Sequence, residues 1–259
     1  MDFKEKIKNR KGLNIAVLVE LAKKQENLVF LMHGFGFFKE FPLIQEIATI
    51  FKNNNFTVIR FDATNSIGQS NGKMEDGNVT GYCEDLNDVI NWAKNQKWYQ
   101  EPFFLAGHSA GAYCVSKYAA NNPSKVKALA LFSPFVSGKL FIETDEIKPF
   151  LLEWQKTGIR QWESSSTPGV IKKLRYQFVE DCLRHNILDY ANKIKCPVLF
   201  ISGENDTTIP IKDQKLFLDK LVTQKDFHLI KNADHNFKPE ENFKELREIV
   251  ENFAKNQNL

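Results

Sequence analysis

Short apolar runs of strand length alternate along the chain with longer stretches in which apolar residues recur every three or four positions. The first pattern is typical of buried strands in a parallel sheet, and the second of helices that cover such a sheet. The predicted strands cover residues 14–21, 28–32, 56–61, 103–106, 127–132, 197–202 and 227–230. The predicted helices cover residues 41–52, 82–95, 111–120, 212–221 and 243–254. The chain is therefore expected to form an α/β fold with a mostly parallel central sheet flanked by helices.

This alternation stops between residues 134 and 189, where the chain loses strand character and becomes helical, irregular and aromatic. We expect residues 1–133 and 190–259 to form one core domain, and residues 134–189 to form a helical cap inserted into it. About half of the aromatic residues in the cap are expected to form its own core. The rest, with Trp154 and Trp162 as candidates, are expected to line an apolar pocket.

Composition excludes several classes of protein. Of the 259 residues, 42% are hydrophobic and 26% are charged, which is ordinary for a soluble globular protein. The mean hydropathy is −0.38, and no apolar run approaches the roughly 18 residues of a membrane helix. A net charge of +3 is too small and too dispersed for a nucleic-acid surface. The 22 Phe residues suggest a large aromatic surface.

The cysteines and the N-terminus indicate the compartment. The four cysteines are scattered, without a Cys-x-x-Cys pair or a histidine at metal-ligand spacing. Free thiols are expected, with a structural disulfide as the alternative, and neither a metal nor a cofactor is implied. Residues 4–19 are basic and then apolar, faintly like a signal peptide, but Glu20 closes the apolar run and no cleavage site follows. We therefore expect a first strand there and a cytoplasmic protein.

The segment Gly107-His108-Ser109-Ala110-Gly111 fits the pattern G-x-S-x-G between a predicted strand and a predicted helix. A very tight strand-to-helix turn leaves no room for side chains two positions before and after its central serine. Such a turn presents the Ser109 hydroxyl at the helix N-terminus, where developing negative charge is favoured. The pattern also arises by chance, so its interpretation depends on partner residues.

A serine hydroxyl becomes a nucleophile when a base takes its proton and an acid orients that base. In α/β folds these residues lie in loops at the carboxyl ends of strands. Asp206 follows the predicted strand 197–202, and His235 follows the predicted strand 227–230. We therefore predict Ser109, Asp206 and His235 as a catalytic triad, in the order nucleophile, acid and histidine.

Both partners have rivals in the sequence. Glu204 lies very near the end of its strand, and the carboxylate of Asp234 would have to fold back to reach the neighbouring His235. Of the five histidines, only His235 lies in a loop just beyond a late strand. By their positions, His33 is interpreted as shaping a loop and His108 as packing beside the nucleophile. His185 lies in the cap, and His228 lies within a strand.

A triad of this kind needs two preset donors for the oxygen of the tetrahedral intermediate. The first expected donor is the backbone N–H of Ala110, directly after the nucleophile. The second is expected in the loop His33-Gly34-Phe35-Gly36 that follows the strand 28–32, which places it at Phe35.

Together these segments, with Gly203-x-x-Asp206 and Asp234-His235, resemble the α/β-hydrolase superfamily. Arg60-Phe61-Asp62 followed by residues 67–73 is similar to the R-x-D…G-H-G-x-S-x-G stretch of the serine aminopeptidase S33-like group. That group includes monoacylglycerol lipases and cinnamoyl (feruloyl) esterases. The chain departs from its pattern at Ile67 and Gln69, which flank Gly68, and at Ala112 after the elbow.

The resemblance implies a serine hydrolase that cleaves a small-molecule carboxylic ester with an apolar or aromatic acyl group. A thioesterase, an amidase or peptidase, and a carbon–carbon hydrolase use the same triad and are not separated from it by the sequence. A non-catalytic small-molecule receptor built on the same fold is the remaining alternative.

Overall fold

The computed structural model of the protein describes residues 2–24, 27–164, 169–239 and 241–256. Within these ranges the strands are β1 (Phe3–Lys8), β2 (Asn14–Glu20), β3 (Asn27–Met32), β4 (Phe56–Asp62), β5 (Phe103–His108), β6 (Val126–Phe132), β7 (Ile159–Glu163), β8 (Ile171–Arg175), β9 (Val198–Gly203) and β10 (Lys225–Ile230). The α-helices are α1 (Pro42–Asn53), α2 (Val79–Ala93), α3 (Ala110–Asn121), α4 (Gly138–Phe141), α5 (Leu151–Thr157), α6 (Gln177–Cys182), α7 (Ile211–Lys220) and α8 (Asn242–Asn256).

Eight strands form one sheet in the order β1-β2-β4-β3-β5-β6-β9-β10. The pairs β1–β2 and β2–β4 are antiparallel, and the other five pairs are parallel. Strands β3, β4, β5 and β9 are buried along their whole length, which explains why they read as continuous apolar runs. The predicted mostly parallel sheet is confirmed.

The first strand of the sheet is one that the hydrophobic pattern did not predict. β1 pairs with β2 at the edge of the sheet, with Ile7 opposite Ile15. Only Ile7 is buried in β1, and its lysines and Glu5 face solvent. Charged residues on an edge strand prevent pairing with other chains, and they also remove the apolar alternation by which a strand is recognised.

Helices cover both faces of the sheet. α1 and α8 pack on one face through a cluster that includes Ile47 and Val250. On the other face, α2, α3 and α7 pack through residues such as Leu86, Val115 and Phe217. The three layers bring the carboxyl ends of β3, β5, β9 and β10 to one edge of the sheet, where the predicted site residues follow the strands.

The segment between β6 and β9 contains α4, α5 and α6 and also an antiparallel hairpin of β7 and β8. The expectation that residues 134–189 lack strands is therefore wrong. In β8 the side chains of Lys172 and Leu174 are buried, while Ile171 is exposed. A lysine at an inward position and an isoleucine at an outward one conceal the period-two pattern. The division into a core and a cap stays a prediction.

A buried polar cluster ties this inserted segment to the core helices. The ring of His185 contacts the Tyr113 hydroxyl through Nδ1 and the Thr80 hydroxyl through Nε2, both at 2.9 Å. Thr80 also donates to Asp181 at 2.6 Å. Burial would raise the pKa of the Asp181 carboxyl, but the hydrogen bonds from His185 and Thr80 lower it to about 2. This hydrogen-bonded cluster, in which Asp181 is ionised, fixes α6 against α2 and α3.

All four cysteines are free, and the sulfur atoms of Cys83 and Cys114 lie 3.1 Å apart between α2 and α3. In the described part of the chain, none of the helices combines the length and the apolar character needed to cross a membrane.

Candidate active site

Ser109 occupies the turn between β5 and α3 with φ +54° and ψ −119°. Residues other than glycine rarely adopt this backbone conformation, and they retain it where the surrounding structure enforces it. The flanking glycines are required by close packing. A Cβ atom at Gly107 would lie 2.6 Å from the carbonyl carbon of Gly111, and one at Gly111 would lie 2.5 Å from the carbonyl oxygen of Met32. The strained elbow expected from the G-x-S-x-G pattern is present.

The backbone of Ser109 is anchored to the end of the neighbouring strand. Its N–H donates to the carbonyl of Phe132 at 2.9 Å, and its carbonyl accepts from the N–H of Phe135 at 3.1 Å. Ser109 also precedes the first residue of α3, so its side chain lies at the positive end of the helix dipole. These contacts hold the serine in the lining of a large cavity.

His235 and Asp206 are hydrogen-bonded to each other, with 2.8 Å between Nδ1 and Oδ2. Both are buried, and His235 lines the same cavity as Ser109. The Asp206 carboxylate also accepts from the N–H of Ile209 at 2.8 Å and from the amide of Gln214 at 3.1 Å. Burial would raise the pKa of Asp206, but His235 and the hydrogen bond from the Ile209 N–H hold it below its usual value. The carboxylate is therefore ionised at neutral pH.

The rival carboxylates are occupied elsewhere. Glu204 accepts a hydrogen bond from the N–H of Asn232 at 3.0 Å. Asp234 accepts from the N–H groups of Asn236 and Lys238, both at 2.8 Å, and so closes the turn after His235. Among the described residues, the carboxylate that reaches the His235 ring is that of Asp206.

Gln214 is a residue of the site that sequence reasoning missed. It is fully buried on α7, accepts from the Ser202 hydroxyl at 2.7 Å and donates to both Asp206 and the Ile209 carbonyl. It lies three and four positions before the buried Phe217 and Leu218, so the helical period places it inside. A polar residue among the apolar positions of a helix is the sequence signal that could have identified Gln214 as part of the site.

From the sequence, His108 is interpreted only as a packing residue, but the structure shows that it also makes a hydrogen bond in the site. Its Nε2 lies 2.8 Å from the backbone carbonyl oxygen of His235, and the two rings are 4.7 Å apart. Because a carbonyl only accepts, Nε2 carries the proton. Burial and the neighbouring His235 lower the pKa of His108 to about 3. A neutral His108 therefore holds the loop that carries His235.

His33 shapes its loop as expected from the sequence. Its Nδ1 donates to the Gly34 carbonyl at 2.7 Å, and its Nε2 accepts from the N–H of Ala63 at 3.0 Å. Burial lowers the pKa of His33, consistent with a neutral ring in this tautomer. The loop after β3 is thereby fixed to the end of β4.

The same loop brings Phe35 beside the elbow. A Cβ atom at Gly34 would lie 3.1 Å from the Cβ of Ser109, and the Phe35 ring packs 5.1 Å from that of Tyr82 and 4.4 Å from that of Phe178. Both Phe35 and Ala110 line the cavity. In the described ranges, neither backbone N–H donates to another residue of the protein. Both groups are thus available to an oxygen atom bound near Ser109.

The Arg60-Phe61-Asp62 segment supports this loop from below. The buried Asp62 carboxylate accepts from the Lys39 N–H at 2.6 Å, from Lys39 Nζ at 2.8 Å and from the Gln69 N–H at 2.7 Å. Arg60 donates to the Lys39 carbonyl and to Glu20. The motif therefore has a structural role, since it joins the loop after β3 to the loop after β4. Gln69 contributes only its backbone N–H to Asp62, so this bond does not depend on the Gln69 side chain.

The cavity has a volume of about 500 Å³ and lies between the strand ends and the inserted segment. Its aromatic lining from that segment consists of Phe135, Phe141, Phe150, Trp154, Trp162 and Phe178. Four charged residues, which the sequence did not indicate, also line it: Glu146, Arg160, Glu163 and Lys172. The described residues contain no group of three or more metal-binding side chains. The cavity thus combines an apolar wall with a small number of charges.

A sequence model of the family described as "Serine aminopeptidase, S33" matches residues 23–168. Palmitoyl-protein thioesterase ABHD10, mitochondrial, from Bos taurus is 27% identical over 194 residues, covering 72% of this chain and 60% of that protein. Monoacylglycerol lipase ABHD6 from Homo sapiens is 22% identical over 259 residues, covering 87% of this chain and 75% of that protein. The chain spans less than two thirds of the bovine relative.

Two solved structures are similar over almost their whole length. Est1E from Butyrivibrio proteoclasticus with ferulic acid bound has a TM-score of 0.78 at 20% identity, with 98% of each chain covered. Alpha/beta hydrolase domain-containing protein 10 from mouse has a TM-score of 0.78 at 19% identity, with 98% of this chain and 99% of that one covered. These likenesses establish the α/β-hydrolase fold.

Proposed function

The chain belongs to the serine aminopeptidase S33 family, and we propose that it is a serine hydrolase that cleaves a carboxylic ester through an acyl-enzyme intermediate. Membership of the family confirms the resemblance carried by the motifs. The observation that carries the proposal is the 2.8 Å hydrogen bond between His235 and Asp206, beside the cavity in which Ser109 occupies a strained elbow.

In the proposed reaction, the Ser109 hydroxyl attacks the ester carbonyl while Nε2 of His235 takes its proton. Asp206 keeps the other ring proton on Nδ1 and stabilises the imidazolium that forms. The tetrahedral intermediate then expels the alcohol, which receives the proton from His235. Water, deprotonated by His235, hydrolyses the acyl group from Ser109 and restores the enzyme. The lowered pKa of Asp206 supports this role, since the carboxylate must remain charged.

The backbone N–H groups of Phe35 and Ala110 form the proposed oxyanion hole. Their position beside Ser109 and their lack of an acceptor among the described residues support it. Donors that are already aimed at the developing oxyanion stabilise the transition state without reorganisation. Removing one such donor typically slows turnover by about 10²- to 10³-fold.

Residues 134–189 are proposed to act as a cap that selects the acyl group. The aromatic wall of the cavity comes largely from this segment, and its volume of about 500 Å³ suits a medium-sized apolar or aromatic acyl group. The ferulic acid bound to the Butyrivibrio protein is an aromatic acid of this kind. A cytoplasmic location stays a prediction.

Thioester cleavage is the second candidate, because the bovine relative is named as a palmitoyl-protein thioesterase. The same triad and oxyanion hole serve both reactions, and also amide or carbon–carbon cleavage. A matched pair of oxygen and sulfur esters with the same acyl group separates the first two. A higher kcat/KM for the sulfur ester, after correction for its uncatalysed hydrolysis, favours the thioesterase.

Labelling with a fluorophosphonate probe tests the proposed chemistry directly. The wild-type protein should be labelled at Ser109, as mapped by peptide mass spectrometry. Ser109→Ala should abolish labelling, while Ser116→Ala, in the middle of α3, should leave it unchanged. Folded wild-type protein that is not labelled, and that hydrolyses no ester, would instead support a non-catalytic receptor.

A further inference from the structure

Lys172 is a buried cation in the wall of the proposed active site. Its side chain points inward from β8, and the residue is only 8% exposed. Nζ lies 4.8 Å from the centre of the Phe37 ring and 3.6 Å from the point that a Cβ atom of Gly36 would occupy. The ammonium group is therefore beside the loop that carries the Phe35 N–H.

Among the described residues, the Lys172 ammonium group has no anionic partner. No carboxylate in these ranges lies within 4 Å of Nζ, and no group there accepts a hydrogen bond from it. Burial lowers the pKa of Lys172, with no neighbouring charge to oppose it. The contact with Phe37 recovers less than the desolvation of an ammonium costs. An unpaired buried lysine that faces a cavity therefore favours an anion inside that cavity.

The other charges that line the cavity already have partners. Arg160 stacks on Phe150, with 3.9 Å from the guanidinium carbon to the ring centre, and donates to the Glu146 carbonyl. The Glu146 carboxylate accepts from the hydroxyls of Thr207 and Thr208. Glu163 accepts from the N–H of Gly169 at 3.3 Å. Among the described charged side chains of this wall, Lys172 is thus the one whose charged group makes no hydrogen bond with the protein.

The position of Lys172 is fixed by the hairpin that carries it. Arg175, three residues further along β8, pairs with Glu75 at 2.9 Å and with Asp76 at 3.0 Å in the loop after β4. Leu174 is buried beside Trp154, whose Nε1 donates to the Leu174 carbonyl at 2.9 Å. The β8 backbone that carries Lys172 is therefore held in place by these contacts.

We infer that Lys172 binds a carboxylate on the substrate, so that the proposed hydrolase acts on esters that also carry a free carboxylate. The inference rests on the proposed function. A single ammonium balances a single negative charge, which favours a carboxylate over a phosphate dianion. Residues 34–36 join the surroundings of Ser109 to those of Lys172, and two residue steps span at most about 7 Å. The carboxylate therefore lies on the order of 10 Å from the ester carbonyl, separated by a spacer of several methylene groups.

Half-esters of dicarboxylic acids test this specificity. The substrates are monomethyl esters of succinate, glutarate, adipate and suberate, each paired with the methyl ester whose free carboxylate is replaced by a carboxamide. We expect wild-type kcat/KM to be at least tenfold higher for the carboxylate member of the pair with the best spacer. Lys172→Met should lower this preference, the ratio of kcat/KM for the carboxylate member to that for its carboxamide partner, by about tenfold or more.

Lys173→Met is the matched control, because Lys173 is the next residue and points outward from the same strand. It should change neither member of the pair. Lys172→Gln, confirmed as folded by circular dichroism, repeats the test with a polar replacement. Equal kcat/KM for both members in the wild type, or an equal loss for both in Lys172→Met, overturns the inference.

Binding separates this inference from the proposed chemistry. Calorimetry measures the affinity of the half-ester with the best spacer for Ser109→Ala with and without Lys172→Met. If the series shows no turnover, all four half-esters are measured. Binding that is at least tenfold weaker in the double variant supports the carboxylate site, even if the wild type hydrolyses no ester. The lack of hydrolysis would then count against the proposed function, but not against the carboxylate site. Unchanged or undetectable binding in both variants overturns the site.

Discussion

His108 and His235 are joined by a 2.8 Å hydrogen bond from the Nε2 of the first to the backbone carbonyl of the second. The residue before the proposed nucleophile therefore positions the loop of the proposed base. This link requires a neutral His108, and burial together with the neighbouring His235 provides it by lowering the pKa of His108 to about 3. Stability and the geometry of the site are thus coupled through one ring.

We expect the stability of the protein to fall in acid partly because of His108. An unfolded histidine has a pKa of about 6.5. Between pH 6.5 and about 3 the unfolded state therefore binds a proton that the folded state does not. The stabilisation is fully present above pH 6.5 and is lost as the pH falls toward 3, by at most about 1.4 kcal/mol per pH unit for this proton.

Urea unfolding at several pH values between 7 and 4 measures this dependence. His108→Gln keeps a donor toward the His235 carbonyl but does not titrate, so its free energy of unfolding should depend less steeply on pH. Parallel curves for the two proteins would show that His108 does not titrate in this window.

The acid of the proposed triad is tested with three near-isosteric variants. Asp206→Asn retains a hydrogen-bonding group but supplies no charge to the imidazolium, and the same change in a serine protease lowers kcat by about 10⁴-fold. Glu204→Gln and Asp234→Asn should lower kcat less than tenfold, because both carboxylates bond to backbone N–H groups away from the ring. The measurement is kcat on one aryl ester. If Asp234→Asn is inactive while Asp206→Asn remains active, the acid of the triad is Asp234 and not Asp206.

Strain at the elbow predicts a difference between two inactive variants. Ser109→Ala and Ser109→Gly both remove the hydroxyl, and both should lower kcat by several orders of magnitude. Only glycine adopts φ +54° and ψ −119° without a strained Cβ, so Ser109→Gly should be more stable than Ser109→Ala by about 1 kcal/mol. The midpoint of urea unfolding measures this.

The matched control is Ser116, in the interior of α3. There the order should reverse, with Ser116→Gly less stable than Ser116→Ala by about 1 kcal/mol. If the glycine variant is less stable than the alanine variant at both positions, the elbow is not strained.

Trp162 is expected to affect acyl preference more than stability. It lines the cavity and is only partly buried, so Trp162→Ala should change the ratio of kcat/KM between aryl and short alkyl acyl groups by about tenfold. Trp154 is 2% exposed and bonded to Leu174, so Trp154→Ala should instead cost about 3–5 kcal/mol of stability. A panel of p-nitrophenyl esters and thermal unfolding distinguish the two effects. A uniform loss on all esters in Trp162→Ala would make it a scaffold residue.

The sequence by itself determined the α/β class and most of the strands and helices, because burial on both faces of a parallel sheet requires continuous apolar runs. It also determined the elbow, since the steric limits of a tight turn act on residues only two positions from Ser109. Ser109, Asp206 and His235 could be identified as candidates for the triad because each follows a predicted strand. In each case the physical requirement is local, or it repeats with the period of one element.

Only the tertiary structure decided what depends on neighbours distant in sequence. The bond between Asp206 and His235, rather than one from Glu204 or Asp234, depends on how two loops meet at the sheet edge. The edge strand β1 and the hairpin of β7 and β8 were missed because their stability comes from pairing with other strands. The cost of burying Lys172 arises from the walls that enclose it, and no pattern around residue 172 encodes that enclosure.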